Sequence, residues 1–173
     1  MATWTIDTAH TEIGFKVKHL VVTTVSGKFT EFEGTIEASA DDFSDAKISF
    51  SAAIDSIHTG NGQRDGHLKS ADFFDNANHP KLTFTSTSVE KDGNDLTITG
   101  DLTIRGTTKP VTLQAEFGGL EKNMGGNVVA GFDVTGKINR QDFGLTWGAV
   151  TEAGGLVVAN DVKLVATVEL IKQ

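Results

Sequence analysis

The residues able to do chemistry gather in one stretch, SIHTGNGQRDGHLKSADFFD at 56–75, which sets His58, Arg64, Asp65 and His67 beside Phe73-Phe74. Four chemistries use such residue types. A glycine-rich turn can cradle a phosphate, but GNGQRDG matches neither G-x-x-x-x-G-K-[ST] nor G-x-G-x-x-G. Histidines and carboxylates can hold a metal, yet His58 and His67 stand nine positions apart and Asp65-x-His67 is too short to specify a site. A nucleophilic triad finds no G-x-S-x-G elbow and no cysteine. Acid–base work by Asp65 and His67, with Arg64 holding an anion, stays open as an enzymatic reading. Opposed to it is a structural one: adjacent opposite charges ahead of a short helix pin a loop through ion pairs and backbone hydrogen bonds.

Which reading holds depends on what the rest of the chain builds. Its dominant signal is alternation with period two, which puts successive side chains on opposite faces of a strand. Ile13, Phe15, Val17 and His19 share one face; Phe32, Gly34, Ile36 and Ala38 share another, with Phe29 out of phase and a turn or bulge expected at Thr30-Glu31. Ile48, Phe50, Ala52 and Ile54 align, and Leu82 and Phe84 begin a further face. The pattern is cleanest in DLTITGDLTIRG and continues through Val111–Phe117, Val128–Ile138 and Val162–Leu170. About eight strands result, apolar on one side and wet on the other. KDGND at 91–95 reads as a hairpin, GTTKP at 106–110 as a corner and GGLEKNMGGN at 118–127 as a longer loop. Strands of this length without amphipathic helices to cover them close into a sandwich or a barrel. Gly34, Gly100 and Gly136 inside the patterns favour the barrel, because glycine permits sharp bending. The stretch at 56–75 lies between strands, with Asn61 or Ser70 as helix cap and Leu68, Ala71 and Phe74 on one side, and so predicts a short helix over a barrel mouth or flank.

Composition narrows the partners. The formal charge is −8 and no basic run occurs, which argues against nucleic acid and against an anionic membrane surface. No apolar run approaches the ~20 residues of a spanning helix. The absence of cysteine excludes disulfides and thiolate sites. Eleven phenylalanines and no tyrosine imply rings that face apolar matter. The chain enters patterned sequence at once and reads as cytoplasmic, or periplasmic if a signal has been removed.

The motifs WTIDTAHTEIGFKVKHL, VSGKFTEFEGTI, SIHTGNGQRDGHLKSADFFD, HPKLTF, GDLTIRGTTKPVTL and NRQDFG occur in that order. Together they resemble the YceI-like family of lipocalin-like polyisoprenoid-binding proteins. The resemblance carries over to Trp4, Asp7, His10, His19, Gly27, Phe29, Gly34, Arg64, Asp65, His67, Leu68, Phe73, Phe74, Pro80, Gly106 and Arg140. It implies an extended eight-stranded antiparallel barrel with a helix near the opening and a long pocket for an isoprenoid or similar amphiphile.

Both lines lead to one expectation: an all-β single domain over 1–173 that carries or stores a hydrophobic chain, without cofactor, metal or catalysis. Its expected ligand-binding residues are Ile13, Phe15, Val17, His19, Phe32, Ile36, Ile48, Phe50, Leu68, Phe73, Phe84, Leu102, Phe117, Phe132 and Trp147. His19, at a strand end, is either hydrogen-bonded at the rim or a contact to a ligand head. Arg140 and Asp142 read first as a strand-end clasp. Small residues, among them Ala38, Ala52, Gly100, Ala130, Gly136 and Ala166, are expected to leave room for the chain. Val165 and Ile171, outward on the last strand, suggest a homodimer.

Overall fold

The computed structural model describes residues 1–148 and 158–173. Among these residues eleven strands form one antiparallel sheet. They are β1 (Ala2–Ile6), β2 (Glu12–His19), β3 (Thr23–Phe29), β4 (Phe32–Ala38), β5 (Lys47–Ala53), β6 (Ile57–His58), β7 (Lys81–Asp92), β8 (Asp95–Ile104), β9 (Thr107–Lys122), β10 (Val128–Asn139) and β11 (Val158–Lys172). Among the described residues the one α-helix, α1 (Gly62–Lys69), lies between β6 and β7.

Closure comes from β11. One edge pairs with β10, while the other pairs with β2 from Val158 to Thr167 and with β1 from Leu170 to Lys172. The ring β1–β4–β5–β7–β8–β9–β10–β11 is a closed eight-stranded barrel. Beyond β1 the wall continues as the β2–β3 hairpin, whose outer edge, among the described residues, pairs only with the short β6, through Lys28↔His58 and Phe29↔Ile57. The cap segment around α1 packs beside this hairpin, with Phe74 edge-on to Phe29 at 6.2 Å.

Alternation works as expected where a strand is long. In β8, Leu96, Ile98, Leu102 and Ile104 are all buried. β1 and β6 are too short to show it, and β3 keeps the period but sets only Val25 and Phe29, beside Gly27, on its inner face. Phe29 is out of phase because it closes β3, and Thr30-Glu31 is the turn into β4.

Two turn expectations need correction. The corner at 106–110 is a tight turn at Arg105-Gly106, and Pro110 sits inside β9 opposite Asp101. Proline is tolerated there because β10 pairs with β9 only from Leu113 onward, leaving that side without a ladder. The loop expected at 118–127 shrinks to 123–127, because β9 runs on to Lys122 past an irregularity opposite Gly131 and Phe132. A bulge hides strand from a period-two reading.

Gly100 and Gly136 do not leave space for a ligand. A Cβ on Gly100 would sit 2.4 Å from the Phe84 ring and 2.6 Å from the Thr85 carbonyl; one on Gly136 would sit 2.6 Å from Leu113. Their missing side chains are filled by neighbours in the wall. Ala38, Ala52 and Ala130 are likewise buried in packing, and of the small residues named above Ala166 lines the interior void.

Candidate binding cavity

Inside the barrel is a cavity of about 290 Å³. Nearly every strand contributes to its wall, and among the described residues Ser49 and Arg140 are the only polar ones that border it. Such a void has nothing to fix a polar substrate and much to bury an apolar one.

An aromatic cluster closes one end. Phe43, from the loop between β4 and β5, stands 5.0 Å from both Trp4 and Phe132 and 5.6 Å from Phe117; Phe117 stacks on Phe132 at 5.2 Å. Phe43 is 1% exposed although its φ is +62°, a region that L side chains seldom adopt. The loop is held in this form from outside. The Asp45 carboxylate accepts the amides of Ala40 and Ser39, which hold its pKa below the usual value, and Asp42 does the same for Ser44. Sequence reasoning missed Phe43, since no period marks it. The available signal was a lone aromatic residue among acids in DDFSD.

The cap closes the other end. Asn61 caps α1 by accepting the Arg64 amide at 3.0 Å. Leu68, Phe73 and Phe74 turn to the cavity, while the charged residues face away and bind one another or main chain. Buried Asp65 accepts the Thr59 amide at 2.9 Å and the Thr59 hydroxyl; Arg64 donates to the same hydroxyl and to the Thr59 carbonyl, each at 2.8 Å. His67 bonds Asp72 at 2.9 Å and packs edge-on to Phe73 and Trp147. Arg64, Asp65 and His67 therefore spend their bonding on holding the cap, and none of them lines the cavity.

Two arginines fasten this end through main-chain carbonyls. Arg105 Nη1 donates to Phe73 and Gly144. Arg140, 4% exposed, donates to Leu145 and Trp147 at 2.6 Å, to Ala159 at 2.9 Å and to Val158 at 3.3 Å. No carboxylate lies within 4 Å of it among the described residues, and burial lowers its pKa. Four carbonyl dipoles stand in for a counter-ion. Arg140 is the expected clasp and also borders the cavity, whereas Asp142 is exposed.

Of the residues expected to bind ligand, Ile13, Phe15, Val17, Ile36, Ile48, Phe50, Leu68, Phe73, Phe84, Leu102 and Phe132 line the cavity. His19, Phe32, Phe117 and Trp147 do not. His19 is exposed because β2 runs past the cavity's end before it. Phe32 opens β4 and packs on Phe50 at 6.3 Å, Phe117 lies behind Phe132, and Trp147 lies behind Phe73. Phe29 and Phe74, absent from that expectation, do line it. Val165 and Ile171, expected outward, are half-buried, and Val165 borders the cavity.

Among the described residues, Asp7, His10 and Glu169 bring ligand-type atoms within 4.8 Å of one another, but none lines the cavity and His10 is exposed. Asp7 and His10 already bond each other at 2.8 Å, which raises the imidazole pKa and lowers that of the carboxyl. The pair stabilises the β1–β2 turn fully between the ordinary values of 3.8 and 6.5. That contribution is lost as pH rises through the raised imidazole value, or falls through the lowered carboxyl value. In an NMR titration His10 should titrate above 6.5, and Asp7→Asn should bring it down. A wild-type ring at or below 6.5 contradicts the pairing.

Comparison with known proteins agrees with this architecture. The YceI-like domain matches residues 4–170. A UPF0312 protein of Staphylococcus aureus (strain MSSA476) is 41% identical over 170 residues, covering 98% of this chain and 97% of that protein. The crystal structure of a Campylobacter jejuni YCEI protein superposes with a TM-score of 0.77 at 36% identity, covering 96% of each chain. A polyisoprenoid binding domain from Saccharophagus degradans, described as implicated in plant cell wall breakdown, superposes with a TM-score of 0.71 at 16% identity over 98% of each chain. With its motifs, its closed barrel and its whole length matched, the chain belongs to the YceI-like family.

Proposed function

We propose that this protein carries or stores a long hydrophobic chain in the barrel: a polyisoprenoid, an isoprenoid quinone or its precursor, or a similar amphiphilic lipid. The observation that carries the reading is the almost wholly apolar cavity between the Phe43 cluster and the α1 cap. The polyisoprenoid-binding domain of like fold supports the ligand class. Burial supplies the affinity, at ~0.8 kcal/mol per methylene taken from water. Binding should therefore tighten about fourfold per added methylene until the cavity is full.

The reading is one of binding without turnover, because the cap's acid, base and arginine are engaged in holding the cap. Native mass spectrometry after gentle purification should show a co-purifying lipid, and delipidated protein should take up a prenyl alcohol. A protein that is empty as purified and refuses prenyl chains would contradict the proposal.

A further inference from the structure

We propose that the end of the barrel formed by the β2–β3 hairpin docks on an anionic phospholipid bilayer, with the hairpin tip entering the headgroup region. The purpose of docking rests on the lipid-carrying reading above. Its test does not.

The tip is the three-residue connection 20–22, whose β-turn is closed by the Val22 amide donating to the His19 carbonyl at 3.2 Å. The central residues of that turn, Leu20 and Val21, have φ of +51° and +66°. A turn of this hand favours Asn-Gly, and a β-branched residue is among the least suited to it. The hairpin accepts that strain and holds Leu20, Val21 and Val22 at 41%, 67% and 77% exposure. Strain kept at an exposed aliphatic tip points to a use for the tip.

Behind the tip is a cationic face that the linear sequence hides. Lys16 stands opposite Lys163, and Lys163 opposite Lys137, on three adjacent strands; Lys18 follows on β2 towards the tip. Like charges directly opposite each other destabilise a sheet. Among the described residues only Lys137 of this group has an acid within 4 Å, Asp161 at 3.2 Å. Further from the tip the neighbouring wall is acidic, with Asp133 opposite Glu116 and Glu116 opposite Asp95. Against the overall charge of −8, these lysines form a local cationic strip on the wall next to the aliphatic tip, with Asp161 at its edge. A soluble polyanion such as RNA would meet the lysines but leave the tip in water. An anionic bilayer satisfies both. It also meets the molecule at the capped end, where a chain held by Leu68, Phe73 and Phe74 would leave or enter.

The test is co-sedimentation with vesicles of equal phosphatidylglycerol and phosphatidylcholine at low and high salt, using protein stripped of lipid. We expect binding that weakens with salt and is slight on pure phosphatidylcholine. Lys16→Gln with Lys163→Gln should lower partition by about fivefold per lysine removed. Leu20→Asn with Val21→Gly should lower it roughly tenfold while leaving thermal stability equal or higher, because the new pair suits the turn. Failure of the wild type to bind the anionic vesicles overturns the proposal, as does undiminished binding by the tip variant. Retention of an RNA oligonucleotide with no vesicle binding overturns it too. Vesicle binding by a protein that takes up no prenyl chain upholds docking and defeats the cavity reading; uptake without vesicle binding does the reverse.

Discussion

Replacing Arg140 by alanine is expected to destabilise the protein by about 4 kcal/mol, the largest loss among the substitutions considered. The guanidinium joins carbonyls from two places: Leu145 and Trp147 after the β10 end, and Val158 and Ala159 at the start of β11. A hydrogen bond from a charged donor contributes about 1.5–3 kcal/mol net, and a buried carbonyl left without a partner costs about 1–3 kcal/mol. The four bonds share one side chain, so their losses do not simply add. Lysine keeps the charge but not the planar fork, and should recover less than half of the loss. Urea unfolding of Arg140→Ala and Arg140→Lys checks this through the midpoint at unchanged slope. A loss below about 1 kcal/mol for the alanine variant would show that the clasp is replaceable by water.

The reach of the sequence follows from which groups make each contact. β8, β10 and β11 were legible because each alternates over nine residues or more, and one buried face enforces the register. The cap was legible as an interruption of that period, and its N-cap Asn61 as a residue type. What stayed hidden lacks a local signature. Arg140 was legible as a strand-end clasp, but what it holds was not, because its partners are main-chain carbonyls, which every residue has. Phe43 reaches the barrel floor through a positive φ rather than a strand face. The lysine face arises from positions 16, 137 and 163, which only strand pairing brings together. His19 shows the opposite error: its strand face was read correctly, but alternation does not say where along a strand the interior ends.

The most direct measurement of the central claim, that the hydrophobic chain occupies the barrel interior, compares prenyl-alcohol uptake by the delipidated wild type and by Ala166→Phe. Ala166 lies on β11 between Val134 of β10 and Ile13 of β2, and it lines the cavity. A phenyl ring there enters existing void instead of packed wall, so stability should change by less than about 1.5 kcal/mol. The wild type should take up the chain stoichiometrically, as read by native mass spectrometry. The variant should remain folded by circular dichroism and take up essentially none. Uptake by folded Ala166→Phe equal to that of the wild type would place the ligand outside the barrel and contradict the account.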